Sequence, residues 1–153
     1  IAMEELPIAL FGSRCLIVGH GRIARALIRI LRGMGASVTV AARSYGILAE
    51  IEAEGCRAVR TDALKTSVKA ADVVINTVPA RMLTEPVLSA LKHDALVIDL
   101  ASRPGGVDLA AAGRLGVKTI WALSLPGKTA PITAGEIILH TIENCLSELE
   151  EAV

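Results

Sequence analysis

A short glycine-rich stretch, Gly19-His20-Gly21-Arg22-Ile23-Ala24, stands where the hydrophobic period of the chain changes. Before it, residues 14–18 (Arg-Cys-Leu-Ile-Val) form a brief apolar run that reads as a buried strand. After it, residues 22–34 take a helical period. Ile23, Leu27, Ile30, Leu31 and Met34 are expected to share the apolar face, and Arg22, Arg25, Arg29 and Arg32 another. Gly35 is placed to end the helix, and residues 37–41 (Ser-Val-Thr-Val-Ala) read as the next strand. Strand, glycine turn, helix and strand at this spacing open a dinucleotide-binding βαβ unit. Gly19 permits the tight turn, Gly21 lets the backbone approach a pyrophosphate, and Ala24 keeps helix and strand close. The helix N-terminus offers unpaired N–H groups to the phosphates. His20 reads as a loop residue facing cofactor. The arginine stripe reads as a solvated face, with Arg22 the exception because it lies in the phosphate loop.

The alternation continues to the end of the chain. Strands are expected at residues 57–60, 72–77, 95–101 and 117–121, and helices at 44–54, 64–69, 84–91, 107–114 and 133–150, with a Pro/Gly loop at 125–131. Six strands alternating with helices imply parallel pairing and right-handed crossovers. Two βαβαβ halves make the doubly wound, three-layer αβα Rossmann fold. The expected organisation is a lead-in or interdomain helix at 1–13, interrupted by Pro7, a nucleotide-binding core at 14–132, and a C-terminal helix at 133–153. That helix carries an apolar stripe, Ile138, Ile142, Cys145 and Leu149, expected to pack on the sheet's flank or on a preceding domain.

Composition narrows the class. The 153 residues are 52% apolar with a mean hydropathy of +0.54, yet Pro, Gly or charge interrupts every apolar run well short of the ~20 residues a membrane helix needs. A sheet buried on both faces accounts for such a composition. Sixteen basic residues balance sixteen acidic ones, and Phe11, Tyr45 and Trp121 are the only aromatics. Neither the charge nor the stacking surface of a nucleic-acid binder is present. Cys15, Cys56 and Cys145 have no metal or disulfide spacing and read as small core residues. With no signal peptide the expected location is the cytoplasm, and a first residue Ile1 suggests a piece of a longer protein.

The second strand ends without the acid that usually holds the adenosine ribose hydroxyls of NAD, some 20 residues after the first glycine. Residues 40–42 are Val-Ala-Ala, followed by Arg43-Ser44. A guanidinium and a hydroxyl suit a 2′-phosphate, so NADP is favoured over NAD. Ala42, Arg43 and Ser44 join Gly19, His20, Gly21, Arg22 and Ile23 as expected cofactor contacts. Ligands of an open parallel sheet lie beyond the carboxyl ends of the strands. Three loops there are rich in chemistry: Asn76-Thr77-Val78-Pro79, the stretch from Asp99 through Ala101, Ser102 and Arg103 to Asp108, and residues 125–131 with Lys128. Thr77, Val78, Pro79, Ala101 and Ser102 are expected beside the cofactor. Asn76 and Ser102 read as ligand contacts or as turn caps, and Asp99 reads equally as a catalytic or a structural hydrogen-bonding group. Arg103 reads either as a ligand-binding cation or as a residue that caps the loop or pairs with Asp99 or Asp108. His93 and His140 lie away from this edge, so no general base is evident.

Two resemblances follow. The glycine loop and Ala101-Ser102-Arg103-Pro104-Gly105-Gly106-Val107-Asp108 resemble the cofactor domain of D-2-hydroxyacid dehydrogenases, where an Arg matching Arg103 binds the substrate carboxylate. Those enzymes carry a catalytic His in a Pro-His-x-x-Gly setting; here Pro131-Ile132-Thr133-Ala134-Gly135 has Ile132 in that place. Ala42-Arg43-Ser44, residues 99–106, Leu125-Pro126-Gly127, Ala130-Pro131 and Thr133-Ala134-Gly135 resemble the dipicolinate synthase A-subunit family over nearly the whole chain. That resemblance implies NADP as cofactor, a substrate domain ahead of this one, and the B subunit of dipicolinate synthase as partner. It also implies a dicarboxylate substrate, a hydroxylated tetrahydrodipicolinate, converted to pyridine-2,6-dicarboxylate in bacterial sporulation. The oligomeric state is open, a homo-oligomer included. A nucleotide-sensing regulatory module is the competing class; such modules usually keep an acid after the second strand and need no rich loop after the fifth.

Overall fold

A computed structural model describes residues 2–6 and 8–151 of the chain. Pro7, expected to interrupt the lead-in, lies outside the described residues, as do Ile1 and the last two residues of the expected C-terminal helix. The elements run α1 (Ala2–Glu5), β1 (Arg14–Val18), α2 (Arg22–Gly33), β2 (Ser37–Ala42), α3 (Tyr45–Ala53) and β3 (Arg57–Arg60). They continue with α4 (Leu64–Ser67) between two 3-10 turns, β4 (Val73–Asn76), α5 (Glu85–Leu88), β5 (Leu96–Asp99), α6 (Leu109–Leu115) and β6 (Lys118–Trp121). Two helices close the chain, α7 (Leu125–Thr129) and α8 (Pro131–Glu151). It divides into two compact units, one up to Trp121 and one from Ala122 onward.

The first unit is the expected doubly wound sheet. Its six strands lie in the order β3-β2-β1-β4-β5-β6, every pair parallel. The chain reverses its direction of travel across the sheet between β1 and β4, which opens a crevice at their carboxyl ends. Every residue of β4 and β5 and the last four of β1 are buried. This is why the strands read as continuous apolar runs rather than alternating ones. On one face Leu16, Val18, Val74 and Val97 pack with Leu64, Val68, Leu83 and Leu88. Cys15 and Ile17 alternate to the other face.

Three expectations need correction. The buried face of α2 is Ala24, Ile28 and Leu31, while Ile23, Ile30 and Met34 are exposed. The face is set by Ala24, the small third position of the glycine motif, which is fully buried and lets the helix approach the strand. Larger apolar residues one position away are turned outward as a result. Residues 125–129, expected as loop, form α7: Pro126 sits in its first turn, where a missing N–H removes no helical bond. For the same reason α8 starts at Pro131. Cys145, expected in the core, is exposed, unlike Cys15 and Cys56. It lies on α8, which buries none of its side chains; Ile142 and Leu149 are exposed there.

The amino ends of β1 and β4 are tied by Asp72. Its carboxylate accepts from the Arg14 amide at 2.7 Å and pairs with the Lys92 ammonium and, at 3.6 Å, with Arg14 Nε. Burial pushes this carboxyl up, but the Lys92 hydrogen bond, the Arg14 amide and the two positive charges outweigh it and hold it below the usual carboxylate range. A depressed carboxyl contributes stability above its unfolded pKa, near 4, and loses it as pH falls through the folded value. Asp72→Asn is therefore expected to lower stability by about 1–2 kcal/mol at pH 7. The gap to the unaltered protein should narrow below about pH 4. Urea denaturation of both proteins at pH 7 and pH 3 checks it, and a gap independent of pH would contradict the assignment.

Candidate functional site

The glycine loop is wedged against the end of β4. Gly19 has φ +101°, and a Cβ there would stand 2.6 Å from Thr77 Oγ1 and 2.8 Å from Val78 Cγ2. Only glycine fits that conformation and that space. Its N–H donates to the Ala41 carbonyl at 2.9 Å, and Thr77 donates through both its N–H and Oγ1 to the Val18 carbonyl. Gly21 is different. It is the N-cap of α2 with ordinary extended backbone, and a Cβ on it would meet nothing within 4 Å. The space above Gly21 is open. The first helical bond, from the Arg25 N–H to the Gly21 carbonyl, leaves the N–H groups of Arg22, Ile23 and Ala24 without helical partners. These three residues, Gly21 and Thr77 line one opening at the crevice.

A larger cavity of about 370 Å³ adjoins the loop on the β2 side. Gly19, His20, Ala42, Arg43, Ser44 and Val78 line it together. Ala41, Ile47, Thr61, Ala80 and Met82 complete the wall; none of these five was singled out from the sequence as a site residue. Thr61 follows β3, and β3 flanks β2, so sheet order was the signal that could have found it. The Arg43 side chain is exposed, and Ser44 is the N-cap of α3, its Oγ accepting from the Ile47 N–H at 3.4 Å. The His20 side chain is 2% exposed. Neither ring nitrogen has a hydrogen-bond partner among the described residues; Glu54 and Glu50 carboxylate oxygens stand 3.6 and 3.9 Å away. The arginine stripe does more than meet solvent: Arg25 pairs with Glu50 at 3.3 Å, and Arg32 donates to the Glu54 carbonyl.

Pro79, Ala101, Ser102 and Arg103 line neither opening. They belong to the β4 and β5 edge, which a buried polar knot organises. Asp99, 1% exposed, accepts from the Gly106 N–H at 2.7 Å, the Ala101 N–H at 3.1 Å and Asn76 Nδ2 at 2.8 Å. Asn76, fully buried, donates from the same Nδ2 to the Val78 carbonyl at 2.9 Å and accepts from the Val78 N–H at 3.2 Å. A Cβ on Gly106 would stand 2.1 Å from Asn76 Nδ2 and 2.6 Å from the Val78 carbonyl oxygen. Trp121 Nε1 donates to the Ala101 carbonyl at 3.0 Å. Ala101 is buried, while Ser102, Pro79 and Arg103 are exposed. Arg103 makes no hydrogen bond or ion pair with any described residue. Asp99 is taken up by the knot, and Asp108 caps α6 by accepting from the Ala111 N–H and pairs with Arg81 at 3.6 Å. Lys128 lies on α7, in the second unit.

A glycine turn with unpaired helix N–H groups, an adjoining cavity and a crevice at the strand reversal are the features of a dinucleotide-binding domain. The sequence profile of the D-isomer specific 2-hydroxyacid dehydrogenase NAD-binding domain matches residues 3–112, and the chain belongs to that family. It is similar to the A subunit of dipicolinate synthase from Bacillus subtilis, with 39% identity over 150 residues, 98% of this chain and 50% of that protein. The crystal structure of the dipicolinate synthase A chain from Bacillus subtilis superposes with a TM-score of 0.96 at 38% identity, covering 99% of this chain and 51% of that one. A shikimate dehydrogenase (NADP(+)) from Methanocella arvoryzae is 32% identical over 134 residues, 81% of this chain and 50% of that protein. The chain thus spans about half the length of these curated relatives. Among the described residues no helix is long and apolar enough to cross a membrane.

The two loop glycines should fail differently. Gly21→Val is expected to leave the melting temperature within a few degrees and to abolish dinucleotide binding, because the side chain fills the phosphate space and nothing else. Gly19→Ala is expected to destabilise the fold by about 1–3 kcal/mol through strain at positive φ and overpacking. Thermal melts and calorimetric titration of each variant check both; unchanged affinity in Gly21→Val would show that the loop does not hold phosphate.

Proposed function

We propose that the chain is the NADP-binding domain of an oxidoreductase of the dipicolinate synthase A-subunit kind. The observation that carries the cofactor choice is the end of β2. Ala42 stands where an NAD site usually has an acid, and Arg43 and Ser44 follow at the mouth of the cavity. A guanidinium there favours the ribose 2′-phosphate, and the absence of a carboxylate removes its repulsion. The NADP in the name of the shikimate dehydrogenase relative supports the same reading.

The residues present fit the dinucleotide. Gly19 and Gly21 form the phosphate cradle with the N–H groups of Arg22 and Ile23. His20, Ala42, Arg43 and Ser44 border the adenosine ribose. Thr77, Val78 and Pro79 at β4, with Ala101 and Ser102 at β5, flank the nicotinamide half. When bound, NADP accepts a hydride. Arg103, exposed and unpaired among the described residues, anchors a substrate carboxylate through its two-pronged fork. On this reading the substrate is a hydroxylated tetrahydrodipicolinate. It becomes pyridine-2,6-dicarboxylate by losing water, a hydride and a proton, in the setting of bacterial sporulation. The similarity to the A subunit of dipicolinate synthase supports the B subunit of that enzyme as partner and a cytoplasmic location, with acid/base groups supplied from outside this chain.

Two measurements test this. Calorimetric titration is expected to show NADP binding at least tenfold more tightly than NAD, and Arg43→Ala to remove most of that preference, about 1–3 kcal/mol. Equal affinity for NADP and NAD in the unaltered protein overturns the cofactor reading. In the complete enzyme, Arg103→Lys keeps the charge and loses the fork. It is expected to lower kcat/KM about tenfold or more with NADP affinity unchanged. Steady-state kinetics indistinguishable from the unaltered enzyme would remove Arg103 from the substrate site.

A further inference from the structure

Arg43 is not the only guanidinium at the end of β2. In the parallel register of β2 and β3, Ala42 lies opposite Arg60, so the last residue of β3 stands beside the turn that carries Arg43 and Ser44. Arg60 Nη1 donates to the Arg43 carbonyl at 3.4 Å. Its Nε donates to Asp62 Oδ2 at 2.9 Å, and the guanidinium lies over the Tyr45 ring, 5.0 Å from the centroid. Thr61, the next residue, lines the same cavity as Arg43 and Ser44.

These contacts return little stability. The Asp62 carboxylate is 65% exposed and the Tyr45 ring is largely in solvent, and exposed ion pairs of this kind are weak and screened by salt. What they do is orient. The Nε contact and the ring fix the guanidinium plane, and the bond to the Arg43 carbonyl joins it to the turn. Two of its five N–H groups are engaged in these bonds. A 2′-phosphate monoester carries nearly two negative charges near neutral pH, more than one exposed guanidinium neutralises.

We propose that Arg60 is a specificity-determining residue of the cofactor site, the second guanidinium of a clamp with Arg43 for the ribose 2′-phosphate. The inference rests on the NADP reading above and adds to it a residue from a different strand. A guanidinium at the strand β3 end, rather than a second cation in the β2–α3 turn, completes the phosphate site.

The test is calorimetric titration of NADP, NAD, 2′-AMP and 5′-AMP into the unaltered protein and into Arg60→Gln, Arg60→Lys and Arg43→Gln. Arg60→Gln is expected to weaken NADP and 2′-AMP about tenfold, with NAD and 5′-AMP changed less than twofold. Arg60→Lys should recover part of the loss, and the NADP preference should decline with added salt less steeply in Arg60→Gln than in the unaltered protein. If Arg60→Gln keeps the full preference while Arg43→Gln loses it, this inference is overturned and the NADP reading stands. If Arg60→Gln weakens NAD and NADP alike, Arg60 is a structural residue and the inference is again overturned. If the unaltered protein binds NADP and NAD equally, the cofactor reading fails first and takes the clamp with it.

Discussion

A sheet buried on both faces leaves almost no place for polar side chains. β4 and β5 are wholly buried, and their polar residues, Asn76 and Asp99, come at the last position of each strand. An unpaired carboxylate there would carry a heavy desolvation cost. Asp99 meets it with three N–H donors, one of them from the Asn76 side chain. The same Asn76 amide holds both the carbonyl and the N–H of Val78. The chemistry of the crevice is thus built where the apolar interior stops, and the two edge loops are held by a single buried hydrogen-bonded pair. Gly106 is required for a steric reason: its missing side chain is the space Asn76 occupies.

Much of this is legible in the sequence. Continuous apolar runs alternating with amphipathic ones specify a parallel sheet, and the glycine motif at the first turn specifies the winding and the crevice. β1 and β3 fall on the residues the periodicity assigns. The helical faces were harder. In α2 the apolar residues outnumber those the sheet can cover, and a moment drawn through the largest of them points about one residue away from the true contact at Ala24. Close approach, not bulk, decides the face, and a period carries no record of approach distance. The short helix α7 was hidden by Pro126, which breaks a helix in its interior and is tolerated in its first turn.

The site was legible to the extent that it is local. Gly19, His20, Ala42, Arg43, Ser44 and Val78 converge on one cavity, and the loop and the β2 end that carry most of them could be read within short windows. Thr61 was not legible, because its place in the cavity wall comes from the neighbour relation between β2 and β3. Asp99 was open between catalysis and structure in the sequence; its three donors make it the keystone of the loops. His20 is a buried imidazole whose nitrogens have no hydrogen-bond partner among the described residues.

The supports of the two ends of the crevice are separate. The turn after β2 is held by Ser44, Arg60 and the start of α3, while the loop after β5 is held by Asp99, Asn76 and Trp121. No hydrogen bond among the described residues links one set to the other. Modularity of that kind has a consequence for evolution and for redesign: substitutions on the β2–β3 side can reshape that end of the crevice without retuning the loops after β4 and β5. A lineage built on this scaffold is therefore free to change the two ends of its crevice at different times.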